Sequence, residues 1–194
     1  MSIRFSNTTS DFLIWADMLN LVRNLFDDKN YKMSLLIACG SFFGLRISDL
    51  LTLTWEQILN TEYFELREKK TGKKRIIKIN SKLQKHINNC YNAISPISVE
   101  SKCFTSQMGV YSIQRINSIL KQMKVKYNLK IDNFSTHSLR KTFGREVYNQ
   151  AGTNSEFALI KLSELFNHSN TSITRKYLGI RFDEIMETYD NLSF

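Results

Sequence analysis

The chain has 194 residues, a formal net charge of +9 and a pI near 9.5. That is long enough for one domain with a sizeable core, and the cationic balance points to a polyanionic partner. No apolar run reaches the length of a membrane span and no secretory signal pattern opens the chain, so the expectation is a cytoplasmic protein without membrane attachment. Cys39, Cys90 and Cys103 are odd in number and lack C-x-x-C spacing, which argues for reduced thiols over a disulfide framework or a zinc site.

Residues 1–10 read as an N-terminal arm or linker remnant, followed by one domain over 11–194. Thr9 or Ser10 is placed to cap a helix over 11–27, with Trp15, Met18, Leu19, Val22, Leu25 and Phe26 on one stripe. A second helix over 31–43 is apolar nearly all round and is expected to be central, ending at Gly44 in a left-handed turn. Ser48 is expected to cap a short helix over 48–53, and 55–58 to form a short strand. Tyr63–Arg67 alternates, Arg75–Ile79 is rich in β-branched residues, and Lys70-Thr71-Gly72-Lys73 separates them as a hairpin turn. Ser81 is expected to cap a helix over 82–94, with His86 on its surface side. A loop over 95–110, a helix over 111–127, a helix over 136–151 and a helix over 155–166 follow. A short helix then bears Tyr177, and a last stripe comprises Phe182, Ile185, Met186 and Tyr189. The fold class is therefore mainly α with a small antiparallel hairpin.

Basic residues are clustered. Residues 62–85 hold nine Lys/Arg against three Glu, and 121–145 hold seven against one Asp. A solvated face would account for either block alone. Lys69, Lys73, Lys74, Arg75, Lys141 and Arg145 are the candidate contacts to the polyanion.

The chemistry gathers between Ser135 and Tyr177. His137 and Arg140 lie three apart, hence on one face of a helix. A guanidinium fork matches phosphate geometry. Tyr177 is a weak nucleophile unless a base and nearby cations assist it. His168 precedes it by nine residues. Each feature alone is usually a polar helix face or an ordinary aromatic. Upstream lies Gly44-Leu45-Arg46-Ile47-Ser48-Asp49-Leu50, which adds a second arginine just outside a buried helix.

Together these segments resemble the catalytic domain of the tyrosine recombinase family of phage and transposon integrases, from about Asp11 to about Tyr189. The G-L-R-x-S-D-L segment, a hairpin lysine, the H-x-L-R box, a second histidine and a tyrosine nine residues on occur in the family's order. The resemblance implies Tyr177 as nucleophile, Arg46 and Arg140 as phosphate clamps, His168 as a hydrogen-bond donor and His137 as general base. Lys70 is the choice for the hairpin acid, with Lys69 and Lys73 as competitors, and Asp49 is a support for Arg46 or a neighbouring histidine. It implies a site-specific recombinase acting through a 3′-phosphotyrosyl link, with no cofactor and no metal. The partners implied are double-stranded DNA and further copies of the chain, a tetramer on DNA and a monomer alone. Two departures stand out: Leu165-Phe166-Asn167-His168 replaces the family's Leu-Gly-His, and Lys141 follows Arg140 where histidine is common. An N-terminal helical domain usual in the family is missing from this reading. The same residue set occurs in type IB topoisomerases, and an idle DNA-binding regulator of a mobile element is a third reading.

Overall fold

The computed structural model describes residues 10–192, except for the side chains of 181–184. The chain divides into two compact units, one up to Phe143 and one from Gly144. The arm expected over 1–10 lies outside the described residues apart from Ser10, and so does the Phe182 side chain.

In the first unit, α1 (Trp15–Asp27) and α2 (Tyr31–Phe43) pack side by side. As expected, α2 is buried on almost every side, with Leu35, Leu36, Ile37 and Cys39 fully enclosed. The first helix begins four residues later than the sequence suggested. Residues 10–13 are instead drawn across the unit: Asp11 N–H donates to Asn133 O, and Leu13 N–H to Thr142 Oγ1. Ile14, the N-cap, is extended at φ −59° and ψ 139°, so the helix starts only at Trp15.

Two short helices, α3 (Ile47–Leu50) and α4 (Trp55–Ile58), follow. Arg46, not Ser48, is the N-cap of α3. The expected strand at 55–58 is helical because Thr54 and Gln57 form a reciprocal capping box. The hairpin forms as expected from β1 (Tyr63–Arg67) and β2 (Lys74–Lys78), with Leu66 opposite Arg75 and Phe64 opposite Ile77. Then comes α5 (Ser81–Ile94), capped by Asn80 rather than Ser81. His86 is not on the surface side: it is half-buried, its ring 5.7 Å from Phe26, and Nε2 lies 3.1 Å from Ser34 Oγ. Within the expected loop, β3 (Thr105–Ser106) and β4 (Gly109–Val110) pair as a small hairpin. Helix α6 (Ile113–Lys126) is capped by Ser112.

Helix α7 (Thr136–Gln150) starts in the first unit, where Leu139 and Phe143 lie against the glycines of α2. A Cβ on Gly40 would come within 2.7 Å of Leu139, and one on Gly44 within 2.3 Å of the Phe143 ring. Gly44 also has φ +56°, a conformation that costs other residues about 1–2 kcal/mol.

The second unit opens with the rest of α7 and continues through a 3-10 turn (Gly152–Asn154), α8 (Ser155–Phe166), α9 (Thr171–Leu178) and α10 (Ile180–Asp190). Gly144 of α7 admits Leu178 and Phe166 at close range. Ile185, Met186 and Tyr189 of α10 are exposed. Among the described residues no helix is long and apolar enough to cross a membrane.

Gly44→Ala combines a strained φ with a clash against Phe143. It should lower stability by about 2–4 kcal/mol, read as a shifted urea midpoint at constant slope.

Candidate active site

The first unit assembles three arginines at the C-terminal end of α2. A helix ends with unpaired carbonyls and the negative pole of its dipole. Here the left-handed turn at Gly44 leaves two of them to side chains. Arg75 Nη2 donates to Phe43 O at 2.7 Å, and Arg140 Nη1 donates to Gly44 O at 2.8 Å. Arg46 follows two residues later and donates from Nη1 to Glu68 Oε2 at 2.8 Å. Arg46 and Arg140 therefore lie in one electrostatic neighbourhood, both acting on Glu68.

Glu68 is at the centre of this cluster and is only 1% exposed. Its Oε2 also accepts from Thr71 Oγ1 at 2.9 Å, and its Oε1 stands 3.8 Å from Arg75 Nη1. Burial alone would raise the carboxyl's pKa. The Thr71 hydrogen bond, the charge and hydrogen bond of Arg46, and the charge of Arg140 outweigh it and hold the group below the usual glutamate range. Burial, opposed by Glu68, lowers the pKa of Arg75.

Asp49, the expected support, is fully buried but holds a different group. Its Oδ1 accepts from Lys69 N–H at 2.9 Å, so it anchors the hairpin turn, and its Oδ2 has no partner among the described residues. Lys69, Lys70, Lys73 and Lys74 are all exposed at the hairpin's far end.

His137 and Arg140 share one face of α7, but Arg140 is buried and His137 exposed. Local desolvation, then the charges of Arg140 and Lys141, lower the His137 pKa, so its imidazole is largely neutral at pH 7. Ser135 Oγ accepts from His137 N–H at 3.2 Å and pairs with Ser10 Oγ at 2.6 Å.

In the second unit, His168 and Tyr177 have ring centroids 5.4 Å apart at 73°. Asn167, with φ +54°, supplies the left-handed residue after α8. His168 N–H then donates to Ser163 O and Asn167 N–H to Glu164 O, the two bonds of a Schellman turn. The departure at Phe166-Asn167 therefore preserves a tight turn, with asparagine in the glycine role. Thr174 Oγ1 is 2.9 Å from His168 Nδ1 and 2.7 Å from Ser163 Oγ, so a buried hydroxyl pair orients the imidazole. Asn170 caps the helix that carries Tyr177.

Two residues expected on the DNA-facing surface point elsewhere. Arg75 is 10% exposed and turned inward, since it shares a face with Leu66 across the hairpin. Lys141 Nζ donates to Ser10 O at 2.5 Å and ties down the chain where it enters the unit. Arg145 is half-buried. Sequence reasoning missed Glu68, Thr174 and Ser163. For Glu68 a signal existed: Phe64 and Leu66 are buried and Glu68 continues their period of two.

Comparison with known proteins gives a consistent picture. The profile of the phage integrase family matches residues 17–184. The chain is 30% identical over 168 residues to the probable integrase/recombinase YoeC of Bacillus subtilis (strain 168), covering 87% of this chain and 88% of that one. It is 28% identical over 180 residues to a tyrosine recombinase of Pseudothermotoga lettingae (strain ATCC BAA-301 / DSM 14385 / NBRC 107922 / TMO), covering 90% of this chain and 59% of that protein. The crystal structure of the XerA recombinase superposes with a TM-score of 0.70 at 18% identity, over 94% of this chain and 66% of that chain.

The lowered Glu68 pKa makes the fold acid-sensitive. The unfolded chain takes up this proton near the ordinary value of about 4.5 and the folded one at lower pH. The stabilisation is thus complete above about pH 4.5 and disappears as pH falls through the folded value. A urea midpoint measured from pH 6 to pH 3 should fall in acid, and Glu68→Gln should flatten that fall.

Proposed function

The chain belongs to the phage integrase family, the tyrosine-type site-specific recombinases, and from that membership we propose that it cuts and rejoins double-stranded DNA through Tyr177. The observation that carries the reading is the family match over 17–184, which contains Arg46, Lys70, His137, Arg140, His168 and Tyr177. Two features support it: Arg46 and Arg140 both act on the Glu68 carboxylate, and the His168 and Tyr177 rings lie 5.4 Å apart.

Tyr177 Oη attacks the scissile phosphorus in line. A tyrosyl O–P bond forms on the 3′ side, and the bond from phosphorus to the 5′ oxygen breaks. His137, largely neutral at pH 7, takes the phenol proton. Lys70 gives a proton to the departing 5′ oxygen. Arg46 and Arg140 neutralise charge that grows on the non-bridging oxygens. His168, fixed at Nδ1 by Thr174, directs its other ring nitrogen to the same phosphate. Attack by a 5′ hydroxyl on the tyrosyl phosphate reverses the step. The bond energy is retained, so no nucleotide is consumed. Two guanidinium groups and an ammonium supply the positive charge that a metal supplies in other phosphoryl transfers.

The partners proposed are duplex DNA and further copies of the chain, a tetramer at the exchange site. The exposed apolar face of α10 is the surface proposed for contact with a neighbouring copy. The domain assignment, one catalytic domain over 11–194, is also proposed. Such a unit should bind DNA weakly and lose affinity steeply with salt.

A nicked suicide substrate tests the reading. Wild-type protein should form a covalent DNA adduct in the presence of EDTA, and Tyr177→Phe should form none. Adduct surviving in Tyr177→Phe, or loss of adduct on chelation, would refute it. The rate should fall in acid, below the ordinary imidazole value of 6.5, as His137 takes up its proton, and His137→Gln should flatten that acid limb.

A further inference from the structure

Glu68 has no role in the mechanism just described, yet its carboxylate meets Arg46, Thr71 and Arg75 in the first unit's charged cluster. Its carboxylate is 1% exposed and faces different groups with its two oxygens. Oε1 faces Arg75, which is itself clamped to the end of α2 by its bond to Phe43 O. Oε2 accepts from Thr71 and from Arg46. Glu68 is thus fixed from behind by a buried arginine and a turn hydroxyl, and it holds the arginine whose side chain is still 22% exposed. Asp49, nearer to Arg46 in sequence, is bonded to Lys69 N–H instead.

A long arginine side chain has about 2 kcal/mol of rotamer freedom to lose. A phosphate clamp works best when that loss occurs on folding and not on binding. A buried ion pair is weak evidence of a role in stability, because well-packed apolar groups do as well or better. The arrangement around Glu68 suits a requirement for direction. It also joins Arg46 to the turn that carries Lys70, because Glu68 N–H donates to Lys73 O and Gly72 N–H donates to Glu68 O.

We propose that Glu68 is a positioning residue for strand cleavage: its buried carboxylate orients the Arg46 guanidinium toward the scissile phosphate and locks that arginine to the Lys70 turn. This inference rests on the recombinase reading above. Glu68 contacts neither DNA nor the reacting atoms; it acts through Arg46. As an anion beside the phosphate-binding cations, it weakens ground-state attraction for DNA while improving the geometry of the transition state. Binding and cleavage therefore respond in opposite directions when it is neutralised.

The test uses the full chain and a nicked suicide duplex. Glu68→Gln keeps the shape and removes the charge. It should bind the duplex as tightly as wild type or more tightly, while the rate of adduct formation at saturating protein falls by about 10²-fold. In an Arg46→Ala background, adding Glu68→Gln should cause no further loss, because the residue through which it acts is gone. Glu68→Asp keeps the charge but withdraws it, and should show the same split to a smaller degree. If Glu68→Gln fails to fold, as read by its thermal transition, Glu68→Asp carries the test. Cleavage at the wild-type rate in the folded variant, binding lost in proportion to cleavage, or an additive loss in the Arg46→Ala background would each overturn the proposal. Failure of wild-type protein to form any adduct would instead defeat the recombinase reading itself.

Discussion

The C-terminal end of one buried helix organises the first unit. Helix α2 is enclosed on nearly every side, so the carbonyls at its end cannot turn to water, and the Gly44 turn directs two of them to arginines. Arg75 and Arg140 arrive from a hairpin and from α7, elements distant in sequence, and both stop at the same negative pole. Guanidinium groups crowded in this way repel one another. Glu68 offsets that repulsion, and the cost of burying a carboxylate is met by Thr71, Arg46 and the nearby charge of Arg140. The α2 terminus, the hairpin turn and the start of α7 are therefore held by a common set of charges as well as by the apolar core.

Close packing and electrostatics depend on the same residue here. Gly44 has to be glycine for its φ and for the Phe143 ring that lies against it, and its carbonyl receives Arg140. A change made for packing reasons would thus move the Arg140 guanidinium. In the second unit a smaller version of this coupling holds. Asn167 closes α8, the turn delivers His168, and the Ser163–Thr174 hydroxyl pair fixes the imidazole beside Tyr177. Phe166 packs at 5.6 Å from both His168 and Tyr177, so the apolar core of this unit sets the spacing of its polar pair.

Much of this was legible in the residues. The all-round apolar character of 31–43, the glycine that ends it, the period of two in Tyr63–Arg67 and the order of the five motifs depend on local rules or on fixed spacing. Errors fell where a longer-range partner decided the outcome. Ser10 looked like a helix cap, but the residues that follow it bond to Asn133 and Thr142. Ser48 and Ser81 were plausible caps displaced by their neighbours Arg46 and Asn80. His86 lies off the main stripe of its helix but meets Phe26 and Ser34 from another element.

From the sequence alone came the fold class, the central helix, the hairpin and the identity of the candidate groups, because hydrophobic periodicity and motif spacing are properties of neighbouring residues. Tertiary structure alone decided which acid holds which base. Glu68, not Asp49, holds Arg46; Arg75 turns inward; and Lys141 secures Ser10. Those pairings link residues from 20 to 131 positions apart. A charged side chain has the same composition whether it faces solvent or a buried carbonyl, and only the packed chain determines which of the two it meets.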